Sequence, residues 1–190
     1  MGYEAQGRRI MLRRMSGPSS SNNVYLIGPM GSGKTAVGRM LARLLRLEFY
    51  DSDVEIEQRT GVDIPYIFEK EGESGFRERE SEVIDALTKL SNVVLATGGG
   101  AVLRPENREH LSTRGRVIYL KTSVEQQLER TRHGRQRPLL FTEDPGARLR
   151  QLMMVRAPLY ESTAALTVDT DGRQVRAVAD HIVHLLQELS

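Results

Sequence analysis

The sequence predicts an α/β fold in three layers, α/β/α, built around a five-stranded parallel sheet. Short apolar runs alternate along the chain with segments whose apolar residues recur at helical spacing. This alternation is typical of a parallel sheet that is covered by helices on both faces. A glycine-rich segment joins the first apolar run to the first helical pattern. The length of 190 residues suits a single compact domain with a real core.

The order of these segments gives the predicted elements. The predicted strands are VYLIG (24–28), LEFYD (47–51), VVLAT (93–97), RVIYL (116–120) and LTVDT (166–170). The predicted helices begin at Lys34, cover about 78–90, begin at Pro105, cover about 124–132, carry Leu149, Leu152 and Met153, and run from about Val175 to Leu186.

Composition and charge narrow the possible functions. With 39% apolar residues, 27% charged residues and a mean hydropathy of -0.40, the chain has an ordinary globular composition. No apolar run approaches the roughly 20 residues that span a bilayer, so we expect no membrane role. The absence of cysteine fits a reducing compartment, and we expect a cytoplasmic protein.

Positive charge is concentrated at the start of the chain. Residues 1–23 hold four arginines against one glutamate and end in a cluster of Ser, Asn, Gly and Pro. We expect a disordered basic extension there. The formal net charge is +2, so residues 24–190 are close to neutral and no nucleic-acid surface is predicted.

The segment GPMGSGKT (28–35) fits G-x-x-x-x-G-K-[ST] at every fixed position and lies between a strand and a helix, which is the context of a phosphate-binding P-loop. A glycine-rich turn that only caps a helix is the alternative. We expect backbone amides to hold phosphate oxygens, Lys34 to reach the β and γ phosphates, and Thr35 to ligate Mg²⁺. The predicted nucleotide-binding residues of this segment, which would bind ATP if the family resemblance described below holds, are Gly31, Ser32, Gly33, Lys34, Thr35 and Ala36.

Two carboxylates follow the second predicted strand in YDSD (50–53). The strand VVLAT ends without a carboxylate, so Mg²⁺ needs another oxygen ligand. If the backbone stays extended, Asp51 and Asp53 point to the same side. One could then assist Mg²⁺ through water while the other accepts a proton from a hydroxyl group. The alternative is an Asp-rich turn that caps the next helix.

Six segments, in this order and spacing, resemble the shikimate kinase family: GPMGSGKTAVGRMLA, FYDSD, IFEKEGESGFRERE, TGGGAV, RPLL and RAPLY. The resemblance extends from about Val24 to the last helix. It implies a single P-loop NTPase domain of the nucleoside-monophosphate-kinase type over 24–190, with a mobile lid at about 133–146. The implied reaction transfers the γ-phosphoryl group of ATP to the 3-hydroxyl of shikimate, on the pathway to chorismate and the aromatic amino acids. The implied enzyme uses one Mg²⁺ ion and is a monomer.

The resemblance also implies roles for individual residues. Asp53 would take the hydroxyl proton, Asp51 would help to hold Mg²⁺, and Arg137 would close over the phosphates from the lid. Less specific matches place Arg130 and Arg173 near the adenine and phosphates. The implied acid-binding residues are Asp53, Arg77, Gly98, Gly99, Gly100 and Arg156.

Residue chemistry alone leaves several of these roles open. Arg77 could form an exposed pair with Glu73, Arg156 could cover apolar surface with its stem, and the arginines of the lid could be solvated. Another small-metabolite or nucleotide kinase of the same fold, or a nucleotide-dependent switch, are the alternative functions. If the three glycines line the acid pocket, Gly99→Ala should weaken shikimate binding far more than ATP binding.

Overall fold

Five parallel strands form one sheet in a computed structural model that describes residues 22–131 and 144–189. The strands are β1 (Val24–Ile27), β2 (Glu48–Asp51), β3 (Val93–Ala96), β4 (Arg116–Lys121) and β5 (Leu166–Asp169). Their order in the sheet is β2-β3-β1-β4-β5, and every neighbouring pair is parallel. The predicted fold class is therefore confirmed.

Helices connect the strands and cover both faces of the sheet. They are α1 (Lys34–Leu45), α2 (Ser52–Thr60), α3 (Ile64–Thr88), α4 (Pro105–Arg114), α5 (Val124–Thr131), α6 (Pro145–Thr163) and α7 (Val175–Glu188). Among the described residues, no helix combines the length and apolar character needed to cross a membrane.

The core consists of two apolar layers, one on each face of the sheet. Side chains alternate along β1, so Tyr25 and Ile27 pack with α3, α4 and α6 on one face, whereas Val24 and Leu26 pack with α1 and α7 on the other. All four residues are buried. This burial on both faces explains why the central strands have nearly continuous apolar sequences.

Register places the ends of three strands at the same level. Asp51 at the end of β2 is paired with Ala96 in β3, and Ala96 is paired with Leu26 in β1. The segments that follow these strands therefore meet at one edge of the sheet. In parallel α/β folds this carboxyl edge is where ligands bind.

Helices α2 and α3 differ from the sequence prediction. No helix was predicted over 52–60, because this polar segment lacks a clear apolar period, yet Asp51 caps a helix there and Gly61 ends it. Helix α3 begins well before residue 78 and is interrupted at Gly72, where φ is 71°. The predicted extension falls largely outside the described residues, and most of the predicted lid does too.

Candidate active site

The P-loop lies at the carboxyl edge of the sheet between β1 and α1. Gly28, Gly31 and Gly33 have positive φ angles of 143°, 77° and 89°, which residues with a Cβ rarely adopt. The motif therefore needs glycine for its backbone path. The Lys34 ammonium group donates to the carbonyl oxygens of Gly28 and Pro29, both at 2.8 Å. These bonds hold the Lys34 side chain against the P-loop, where it is predicted to bind the β and γ phosphates.

Asp51 connects the second strand to the P-loop. The Thr35 hydroxyl donates to Asp51 Oδ2 at 2.7 Å, while Asp51 Oδ1 accepts from the Asp53 backbone amide at 3.1 Å. Two oxygen atoms of the kind that Mg²⁺ prefers are thus adjacent, and their role as ligands stays a prediction. Among the described residues, no group of three or more His, Asp or Glu side chains is arranged to hold a metal ion.

The backbone argument for the two aspartates was wrong, although both line the same cavity. Helix α2 begins at Ser52, so Asp53 lies in its first turn and not on an extended strand. Asp51 is the cap that the alternative interpretation proposed. The helical turn nevertheless leaves both carboxylates facing the P-loop side.

Asp53 has an unusual electrostatic environment. Its Oδ1 atom is buried and has no hydrogen-bond partner among the described residues. Burial raises the pKa of Asp53 from 3.8 to about 7, and the nearby charges of Glu80 and Asp51 contribute in the same direction. Lys34 and Arg77 oppose this shift. A carboxylate with a pKa near neutrality is well suited to accept a proton at physiological pH.

Arg77 lies in α3 and is buried, so it is more than the exposed partner of Glu73 that residue chemistry alone left possible. It donates to Glu80 Oε2 at 2.7 Å and to Glu73 Oε1 at 3.1 Å. Its side chain is 8% exposed and that of Glu80 is 0% exposed, whereas Glu73 is half exposed. Burial opposes the charge of Arg77, but its two ion pairs outweigh this effect and raise the pKa of the guanidinium group.

Arg156 is a buried cation in α6. The residue is only 4% exposed, and no carboxylate lies within salt-bridge distance of it in the part of the chain described. Burial lowers its pKa, while the neighbouring Tyr160 opposes that change. Because an unpaired buried charge is costly, this arginine favours an anionic ligand in the adjoining cavity.

Each of the three glycines after β3 has a different neighbour. A Cβ on Gly98 would contact Glu80 Oε1 and would lie 2.9 Å from Asp53 Oδ1, and a Cβ on Gly100 would overlap the Arg77 guanidinium. A Cβ on Gly99 would lie 3.3 Å from the Met30 amide nitrogen, which belongs to the P-loop. The glycines therefore make room first of all for other groups of the protein itself.

These parts enclose one cavity of about 750 Å³. The P-loop and Asp51 lie at one end, and the two buried arginines with Asp53 lie at the other. The predicted site residues that line it are Gly31, Gly33, Lys34, Thr35, Ala36, Asp51, Asp53, Arg77, Gly98, Gly99, Gly100, Arg130 and Arg156.

Known proteins have similar sequences and similar folds. The family model for shikimate kinase matches residues 30–187. The chain belongs to the shikimate kinase family. It is 57% identical to the shikimate kinase of Methylococcus capsulatus over 166 residues, which cover 87% of this chain and 93% of that protein.

Solved structures agree with this family assignment. The structure of shikimate kinase from Acinetobacter baumannii in complex with shikimate has a TM-score of 0.88 and 51% identity, covering 90% of this chain and 96% of that one. A gluconokinase from Sinorhizobium meliloti, at 16% identity and a TM-score of 0.57, shares the fold only.

The resemblance to shikimate kinases predicted three further arginines near the nucleotide: Arg130, Arg173 and Arg137. Arg130 lines the cavity and donates to the carbonyl oxygens of Gly31 and Thr170 at 3.0 and 2.9 Å. Arg173 does not line the cavity; it donates to backbone carbonyls at residues 169 and 177. Its predicted nucleotide contact thus has no support from this geometry. Arg137 lies outside the described residues.

Sequence reasoning missed three residues beside the shikimate kinase site. Glu80 is fully buried and holds Arg77, but in GFRERE nothing distinguishes it from a solvated helix charge. Ser52 accepts from the Gly98 amide at 2.9 Å, and Tyr160 donates to the Gly99 carbonyl oxygen at 2.5 Å. Both lie within segments that carried the resemblance, FYDSD and RAPLY, and this was the only available signal.

Proposed function

We propose that the chain is a shikimate kinase, which transfers the γ-phosphoryl group of ATP to the 3-hydroxyl of shikimate and gives shikimate 3-phosphate and ADP. One observation carries this proposal. A single cavity has a P-loop at one end and, at the other, two buried arginines with a carboxylate whose oxygen lacks a partner among the described residues. The family assignment supports the same function.

The P-loop end suits ATP. Amides at the start of α1 and the Lys34 ammonium group provide positive charge for the phosphates, and Arg130 lies at the same end. Thr35 and Asp51 provide hard oxygen ligands for one Mg²⁺ ion, with Asp51 acting through water. Such an ion, when bound, neutralises charge on the phosphates.

The other end suits a small carboxylic acid with hydroxyl groups. Arg156 lacks a carboxylate partner among the described residues and supplies a guanidinium fork, the group best matched to a ligand carboxylate. Arg77 lies on the same cavity and adds positive charge. The unpartnered Oδ1 atom of Asp53 is an acceptor for a hydroxyl group. Gly98, Gly99 and Gly100 expose backbone between these charged groups.

Asp53 acts as the general base in this proposal. It takes the proton of the 3-hydroxyl as that oxygen forms its bond to the γ phosphorus, and the bond from phosphorus to the ADP oxygen breaks. Lys34 stabilises negative charge on the phosphates, and we assign the same task to Arg137. Closure of a site around such a reaction excludes water as a competing acceptor.

A coupled assay of ADP release tests the function directly. We expect ADP formation that requires both Mg²⁺ and shikimate, with gluconate and AMP inactive as acceptors. Turnover of gluconate or AMP without turnover of shikimate would identify another kinase of the same fold. Nucleotide binding without turnover of any acceptor would instead indicate a switch.

The described catalytic groups all belong to one chain and line one cavity. Within residues 22–131 and 144–189, the groups assigned to both ligands come from a single copy, and we propose a monomeric enzyme. We place it in the cytoplasm, where a protein without cysteine needs no oxidising environment.

A further inference from the structure

Two stacked tyrosines lie near the three glycines at 98–100, and they differ in the hydrogen bonding of their hydroxyl groups. Tyr119 on β4 and Tyr160 on α6 are both fully buried, with ring centroids 5.0 Å apart. The Tyr160 hydroxyl donates to the Gly99 carbonyl oxygen at 2.5 Å. The Tyr119 hydroxyl is buried without a hydrogen-bond partner among the described residues. Only Tyr160 therefore connects this pair to the cavity.

The bond to Gly99 fixes the direction of a second group. The carbonyl of Gly99 and the amide of Gly100 belong to one planar peptide unit, so in the trans form they point in opposite directions. Holding the carbonyl toward Tyr160 therefore aims the Gly100 amide away from it. Within residues 22–131 and 144–189, the amides of Gly99 and Gly100 have no hydrogen-bond acceptor.

This peptide would otherwise turn easily. Glycine on both sides removes the steric barriers that restrict most peptide units. The peptides on either side of it are held by backbone hydrogen bonds, because Ala101 and Leu103 donate to the carbonyl oxygens of Gly98 and Gly100 at 3.1 and 3.0 Å. The orientation of the Gly99–Gly100 peptide thus depends on Tyr160 alone among the described side chains.

Tyr160 also lies beside the cation that we assign to the acid. It follows Arg156 by one helical turn, and the two side chains interact. The Arg77 guanidinium lies against Gly100 on the other side. Gly100 therefore lies against one arginine and lines the same cavity as the other, where an oxygen of an anionic ligand would be bound.

We propose that Tyr160 is a positioning residue that holds the Gly99–Gly100 peptide so that the Gly100 amide donates to an oxygen of the bound acid. This inference rests on the proposed function, since shikimate is the acid. Tyr160 itself does not contact the substrate in this arrangement; it acts through the peptide.

The first test compares Tyr160→Phe with Tyr119→Phe. Both changes remove one buried hydroxyl from the same stacked pair, so Tyr119→Phe is the matched control. We expect Tyr160→Phe to raise the KM for shikimate about tenfold, the effect of one lost hydrogen bond to a charged group. The KM for ATP should change less than twofold. Tyr119→Phe should leave both values unchanged.

The second test observes the peptide itself by NMR. The sequence contains only two consecutive glycine pairs, Gly98–Gly99 and Gly99–Gly100. Cell-free labelling with glycine carrying ¹³C at the carbonyl and ¹⁵N at the amide should therefore give only two signals in an HNCO spectrum, the amides of Gly99 and Gly100. Gly98→Ala removes the Gly99 signal and assigns the other.

We expect shikimate to shift the Gly100 signal in the wild type and in Tyr119→Phe, and to shift it much less in Tyr160→Phe. An unmoved Gly100 signal in a wild type that turns over shikimate would overturn the positioning role and leave the proposed function standing. Equal kinetics for the two variants would overturn it too. A wild type inactive with shikimate would instead refute the proposed function.

Discussion

The burial of Asp53 predicts that Asp53→Asn abolishes turnover and stabilises the fold. Burial holds the pKa of this carboxyl at about 7, against 3.8 for the free side chain. The folded state therefore favours the neutral form. Below the unfolded pKa of 3.8 the carboxyl is neutral in both states, so Asp53 costs almost no stability. As pH rises from 3.8 to about 7, the unfolded state gains from ionisation and the free energy of unfolding falls. Above the folded pKa this loss of stability is constant. The difference between these two pKa values lowers the free energy of unfolding by about 4 kcal/mol when the carboxyl is ionised.

The assay is chemical or thermal unfolding of the wild type and Asp53→Asn at pH 4, 6 and 8 without ligand. We expect the variant to be more stable by less than about 1 kcal/mol at pH 4 and by about 4 kcal/mol at pH 8. For a chain of this size, the difference at pH 8 corresponds to roughly 10 °C in Tm. The kcat should fall by at least roughly 100-fold, while calorimetry should show that ATP still binds.

An exposed aspartate provides the control. Asp180 pairs with Arg176 on the surface of α7, and its side chain is 51% exposed. Asp180→Asn should change the free energy of unfolding by no more than about 0.5 kcal/mol at any of these pH values. A stability difference for Asp53→Asn that is the same at all three pH values would refute the burial argument. A near-normal kcat would refute the assignment of Asp53 as base.

Three further substitutions test the acid end of the cavity. Arg156→Ala should raise the KM for shikimate by roughly 100-fold with little change for ATP, because it removes a buried charge-assisted contact. Glu80→Gln removes a negative charge that raises the pKa of Asp53, so the acidic limb of the kcat/KM profile should move to lower pH. Gly100→Ala should displace the Arg77 guanidinium and weaken shikimate binding selectively, as titration calorimetry can show.

Matched changes nearby keep these results interpretable. Arg150→Ala, at an exposed position of α6, should leave both KM values unchanged. An acidic limb that stays in place or moves to higher pH in Glu80→Gln would contradict the electrostatic account. Gly99→Ala should weaken ATP and shikimate binding together, since its Cβ would press on the P-loop. This expectation replaces the selective loss predicted from sequence, and a selective loss would restore that prediction.

Local patterns explain why much of the fold could be predicted. The three central strands, β3, β1 and β4, are buried apolar runs, and the predicted bounds of all five strands differ from the observed ones by one residue. Helix α2 could not be found in the same way, because its stability comes from the Asp51 cap and from Ile56 rather than from an apolar stripe. The long charged segment that forms α3 concealed which charges are buried.

The sequence by itself determined the P-loop and the strand–helix alternation, because each depends on neighbouring residues: left-handed glycines, a helix start and short periodic patterns. Only the tertiary structure decided that Arg77 and Arg156 are buried beside Asp53, that Glu80 holds one of them, and that Tyr160 reaches Gly99. Burial and pKa depend on what packs around a group, and here the packing partners come from distant parts of the chain.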